Sequence, residues 1–173
     1  MKMRFMLLCA FLAGAALPCA ATIVVEAPPD YADAVRIQQE HRFCENDIRS
    51  FVYHVFALYD KHVPVSRFLP LLADKGLDMR FPDATLRSHK DFKRWYAGIG
   101  KDIRSNTHQV ERIDVSYPGR GRYQVGVVVL WQAMIKKGGY VSMRARQVWT
   151  LEEGKTRRWP RILSYIVEAA PPN

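Results

Sequence analysis

Few residues in this chain have the type and spacing that chemistry requires. Asp78 and Arg80 lie two apart in Leu77-Asp78-Met79-Arg80-Phe81, so an extended backbone puts both on one face. Turned inward, they would place an acid–cation pair at a pocket. Turned outward, with Leu77, Met79 and Phe81 against a core, they are a surface pair, which is the simpler reading. His108 opens a run of alternating residues and is a candidate proton acceptor. Asp114 has the same parity but lies six residues on, roughly 20 Å along an extended strand, so the two cannot form a dyad. Tyr165 is a third acid–base candidate. Ser142, Arg144 and Arg146 share one strand face. Facing a cavity, the two guanidinium groups would select an anion such as a carboxylate; facing outward, they are solvated. Gln132 could exchange hydrogen bonds with a ligand. Trp131 and Trp149 could wall it, although core packing explains both.

Other chemistries leave no trace in the sequence. The histidines at 41, 54, 62, 89 and 108 show no metal-ligand spacing. There is no P-loop, nucleophile elbow, paired CxxC or HExxH. Gly119-Arg120-Gly121 is a turn and not a dinucleotide fingerprint, because residue 124 is Gln. No metal or cofactor is expected.

The elements that must position these residues follow from periodicity. Ile48, Phe51, Val52, Val55, Phe56 and Tyr59 form one apolar stripe at helical spacing. A weaker helix is expected over Tyr31–Gln39, and a short one from Ser66 through Leu72. Residues 77–81 alternate as a half-buried strand that Pro82 closes. Ser88 and Asp91 then form a capping box for a helix carrying Phe92, Trp95, Tyr96, Ile99 and Ile103. From His108 the period becomes two. Strands are expected over 108–117, 122–136, 140–151 and 159–168, joined by Gly-containing turns that suit antiparallel hairpins. The strand from Tyr123 to Ile135 is apolar on both faces at its centre. It needs helices on one side and a pocket or a second subunit on the other. Helices first and strands after argue α+β.

The chain's 173 residues, 49% hydrophobic and 25% charged, suit one globular domain. Residues 1–21 read as a secretory signal peptide. Lys2 and Arg4 precede an apolar run from Phe5 to Leu17, and Pro18-Cys19-Ala20-Ala21 offers small residues for cleavage. The run is shorter than the roughly 20 residues of a bilayer span, and no later segment is apolar enough to span one. Leu17-Pro18-Cys19 is a loose lipidation match that Pro18 fits poorly. Cleavage would remove two basic residues and no acid, lowering the formal charge from +9 to +7. It would also leave Cys44 as the sole cysteine, with no intramolecular disulfide possible; the thiol is either buried and inert, the simpler reading, or available for an intermolecular bond. Export makes nucleic acid an improbable partner for the basic charge, which solubility or an anionic envelope surface explains. Residues 22–43 are then linker and weak helix, 44–169 the domain, and 170–173 a tail.

Between about Glu45 and Glu168 the chain resembles the NTF2-like superfamily, and within it the SnoaL-like group. The carrying stretches are Leu71–Pro82, Thr107-His108-Gln109-Val110, Gln147–Leu151 and Arg161-Ile162-Leu163-Ser164-Tyr165. The resemblance implies a cone-shaped α+β barrel of the cystatin-like kind, with N-terminal helices packed on a curved, mainly antiparallel sheet. It also implies a pocket at the wide end and homodimerisation through the sheet's outer face. The chain departs from two catalytic patterns of the family. Steroid-isomerase-like members carry a basic aspartate where Phe81 precedes Pro82. Epoxide-hydrolase-like members use acids on the sheet, and no Asp or Glu occurs between Tyr123 and Leu151. The leading expectation is a periplasmic or secreted domain that binds a small, mostly apolar molecule without an identifiable catalytic set; Arg80, Trp131, Gln132, Arg144 and Arg146 are its candidate contacts. The alternatives are a lyase, isomerase or hydrolase using Asp78, His108 or Tyr165, and a dimerising interaction module.

Overall fold

The structure, a computed structural model, describes residues 30–154 and 158–169. The expected signal peptide, most of the linker and the tail lie outside the described residues. Helix α1 (Tyr31–Glu40) buries no side chain. Helix α2 (Glu45–Asp60) buries its whole predicted stripe, with Ile48, Phe51 and Val52 fully inaccessible. Each large apolar side chain so removed from water contributes about 1.5–3 kcal/mol. Cys44, half-buried, precedes α2, and its N–H donates to the Asp47 carboxylate at 3.0 Å.

Beyond α2 the chain departs from expectation. Two 3-10 turns, Val65–Arg67 and Leu69–Leu71, replace the predicted helix through Leu72. Pro70 is the reason: it lacks an N–H, and its ring opposes a continuous α-helix. Strand β1 (Asp78–Phe81) turns at Pro82-Asp83 into β2 (Ala84–Leu86), which the sequence did not announce because three residues show no alternation. Helix α3 (His89–Asp102) starts at Ser88, whose Oγ accepts the Asp91 N–H at 3.1 Å while the Asp91 carboxylate accepts the Ser88 hydroxyl at 2.7 Å. It passes without a linker into β3 (Ile103–Gly119), five residues earlier than the alternation suggests. Strands β4 (Arg122–Ile135), β5 (Tyr140–Glu152) and β6 (Arg161–Ala169) follow.

The six strands form one curved, open sheet in the order β2-β1-β6-β5-β4-β3. The last four strands pair antiparallel as expected, and the single parallel pairing is β1 with β6 (Asp78 opposite Ser164, Met79 opposite Tyr165). Three register shifts in β3, between Ile103 and Ser105, Val110 and Arg112, and Ser116 and Gly119, mark bulges that bend this edge. The concave face carries Tyr123, Val125, Val127 and Val129 of β4 and Ala145, Gln147, Trp149 and Leu151 of β5, all buried against the helices. The opposite parity faces outward and includes a half-buried apolar group, Val128, Leu130, Val148 and Ile166. No described helix is long and apolar enough to cross a membrane.

Candidate functional site

Four sequence candidates reach the concave side: His108, Trp131, Trp149 and Tyr165. In the β3–β4–β5 register His108 lies opposite Trp131, which lies opposite Met143. Cross-strand partners share a face, so His108 and Trp131 look toward α2. Tyr165 is paired with Trp149 and is 2% exposed. The other five stand on the outside. Asp78 and Arg80 pair with each other at 2.6 Å on the outer face of β1, and the guanidinium hydrogen bond holds the Asp78 carboxyl below its usual range. Arg144, whose guanidinium meets Glu111 at 2.8 Å, and Arg146 alternate with buried Ala145, Gln147 and Trp149. Gln132 donates to the Tyr140 hydroxyl. The anion-selecting pair of arginines therefore does not reach the interior.

What His108 meets is an acid from the helix. Asp60, the last residue of α2, accepts three hydrogen bonds. They come from His108 Nδ1 at 2.6 Å, the His108 backbone N–H at 3.1 Å and Asn106 Nδ2 at 2.9 Å. A carboxylate only accepts, so the imidazole proton sits on Nδ1 and the Nε2 lone pair is left as a proton acceptor. The His108 side chain is 12% exposed and that of Asp60 27%. Phe56, one turn before Asp60, stacks on the imidazole at 4.7 Å and 15°, and the Tyr59 ring lies 6.0 Å away. The orientation is thus clamped on the ring face as well as at Nδ1.

Around this dyad the interior is aromatic. Phe56 meets Trp149 edge-on at 5.5 Å, Trp149 lies 4.4 Å from Tyr165, and Tyr165 touches Phe81, which stacks on Trp95 at 4.2 Å. Trp149 Nε1 donates to Gln147 Oε1 at 3.1 Å. The Gln147 amide hydrogen-bonds Tyr165 and opposes, weakly, the burial that drives the Tyr165 phenol far above its ordinary pKa. Burial does the same to Tyr59, assisted by the nearby hydroxyls of Tyr165 and Tyr96. Both phenols are therefore neutral hydrogen-bonding groups at neutral pH and not bases.

Sequence reasoning missed Asp60, Asn106 and Gln147. One signal was available for Asp60. A carboxylate in the last turn of a helix opposes the macrodipole, so an acid there needs a compensating partner. Among the described residues no group of three His, Cys, Asp or Glu converges as a metal site.

The architecture is the NTF2-like fold. No protein-family model matches the sequence, and no curated protein matches it either. Solved structures do. One is a protein of Novosphingobium aromaticivorans provisionally assigned as a scytalone dehydratase (TM-score 0.67, 13% identity, 81% of this chain and 89% of that one). Another is an NTF2-like superfamily protein of Salmonella enterica serovar Typhimurium (0.66, 12%, 73% and 91%). A third is a hexachlorocyclohexane dehydrochlorinase, LinA type 2 (0.65, 9%, 79% and 88%). At these identities the likeness shows the fold alone.

Proposed function

We propose that this chain is a small-molecule enzyme in which His108, oriented by Asp60, removes a proton from carbon in a mostly apolar substrate. An elimination or isomerisation is the reaction class that such a base serves. The observation that carries this reading is the 2.6 Å contact between His108 Nδ1 and Asp60 Oδ1. It fixes the tautomer that leaves Nε2 basic, within an aromatic interior where a base is poorly solvated. Two structural neighbours are described as a dehydratase and a dehydrochlorinase, and both names denote eliminations. Trp131, which lies opposite His108 and keeps some exposed surface, would contact the substrate.

We further propose that the chain is exported and dimeric. Residues 1–21 direct the chain to the periplasm or outside the cell. The outward group of Val128, Leu130, Val148 and Ile166 joins two copies in a homodimer. The intact mass of protein recovered from the cell envelope, together with light scattering, tests both.

The decisive experiment identifies the molecule retained by protein purified from its native envelope, then incubates it with enzyme in D2O. Loss of the substrate C–H should slow at least a hundredfold in His108→Gln and less in Asp60→Asn, and for an isomerisation deuterium should enter the carbon that regains a proton. A retained ligand without an acidic C–H, or C–H loss undiminished in folded His108→Gln, would return the chain to a binding role.

A further inference from the structure

Helix α2 turns a second face outward. His54, Ala57, Leu58 and Lys61 recur at i, i+3, i+4 and i+7, on the side away from Phe56 and Asp60. With Val63, Pro64, Ser66 and Arg67 they enclose a groove of about 430 Å³. Its floor is apolar, made by Ala57, Leu58, Val63 and Pro64. Its polar groups are an imidazole, an ammonium, a hydroxyl and a guanidinium, with no carboxylate among them. Trp159 stacks on His54 at 5.5 Å and 16°, and the Arg158 guanidinium lies 5.6 Å over that indole.

The charge in this groove is uncompensated. Arg36, Arg49, Arg80, Arg112, Arg144 and Arg161 each meet a carboxylate within 4 Å. Among the described residues, Lys61, Arg67 and Arg158 meet none, as is also true of Arg87, Arg104, Arg120 and Arg146 elsewhere, but these three gather about one imidazole, His54. Burial first, then the fields of Arg67 and Arg158, hold the His54 imidazole below its ordinary pKa. Cations crowded without a counter-charge raise the energy of the folded chain, and an anion would relieve it.

We propose that this groove binds a phosphate ester. Arg67, Lys61, Ser66 and His54 would hold the phosphoryl oxygens, and the organic part would lie on the floor of Ala57, Leu58, Val63 and Pro64. Two features select phosphate over carboxylate. Two cations, Lys61 and Arg67, line the groove beside two neutral donors, and a phosphate monoester brings up to two negative charges and three free oxygens where a carboxylate brings one charge. The groove also exceeds a bare ion in volume and supplies apolar surface for the organic part of an ester. The site is separate from the dyad and does not depend on it.

The test uses the full-length protein at low salt, with phenyl phosphate, inorganic phosphate and benzoate as probes. Calorimetry measures affinity, and NMR titration follows the His54 ring. Phenyl phosphate should saturate, bind more tightly than inorganic phosphate or benzoate, and raise the His54 pKa. Arg67→Gln and Lys61→Gln should each weaken it about tenfold, the loss of one charge-assisted contact, with unchanged melting to show that they fold. A second arm measures binding to phosphatidylcholine vesicles with and without phosphatidic acid. Saturation by the soluble ester identifies a soluble ligand. Capture only by phosphatidic acid vesicles, lost in Arg67→Gln, identifies a lipid headgroup. Failure of both arms, equal affinity for benzoate, or undiminished binding in the folded double variant overturns the proposal.

Discussion

Replacing Asp60 with Asn tests the candidate site without a substrate. The side chain keeps its shape, so packing is constant and only the charge and one acceptor oxygen are lost. Asp60 accepts from His108 Nδ1, the His108 N–H and Asn106 Nδ2 at 2.6, 3.1 and 2.9 Å. Hydrogen bonds to a charged group are worth about 1.5–3 kcal/mol each. Here the low end applies, because the carboxylate is 27% exposed and water screens it. The carboxamide keeps one acceptor for three donors and turns an NH2 toward another, so at least one bond is lost outright. Against this, removing a negative charge from the last turn of α2 returns about 0.3–1 kcal/mol of macrodipole repulsion. The hydrogen bonds win, leaving about 1 kcal/mol of destabilisation, which lowers Tm by about 2–4 °C in a chain of this size. The second readout is tautomeric. In the parent, 15N shifts of His108 should show the proton on Nδ1, and in Asp60→Asn the population should move toward Nε2–H. A melting point unchanged within about a degree, or a parent ring protonated on Nε2, would refute the orienting role of Asp60.

Further outcomes follow from the same geometry. Tyr59 and Tyr165 have folded pKa values raised by burial, so the unfolded chain loses their protons first as pH rises. Their contribution is fully present below about pH 10 and is lost above it, at about 1.4 kcal/mol per pH unit for each group. Denaturant unfolding should be flat to about pH 9 and fall steeply beyond, and a flat profile to pH 11 would contradict their burial. Tyr165→Phe keeps the ring against Trp149 and loses the bond to Gln147, leaving a buried amide donor short. It should cost about 1–2 kcal/mol in urea unfolding, and no measurable cost would mean that the amide finds another partner. Gly121 turns the β3–β4 hairpin at φ +73°, and an added Cβ would meet nothing nearer than Glu153 at 3.9 Å. Gly121→Ala should therefore cost about 1–2 kcal/mol through backbone conformation alone, and Gly121→Asn less.

Elements that depend on near neighbours were legible before any packing was considered. The α2 stripe, the Ser88 cap, the Gly-containing turns and the alternation of the last four strands are set by residues one to four apart. Periodicity and turn chemistry therefore reveal them before any packing is known. Pro70 shows the limit of that reading, since one residue broke an expected helix into two 3-10 turns. β2 was too short to carry a pattern. Tertiary structure alone decided which side of each strand looks inward, because alternation is symmetric until a helix covers one face. That choice sent Arg144, Arg146 and Gln132 outward and kept His108, Trp131 and Tyr165 inside. It decided the dyad as well. Asp60 and His108 are 48 residues apart, on elements whose crossing no local rule specifies. The acid sought along the strand comes from the end of the helix that the curved sheet wraps.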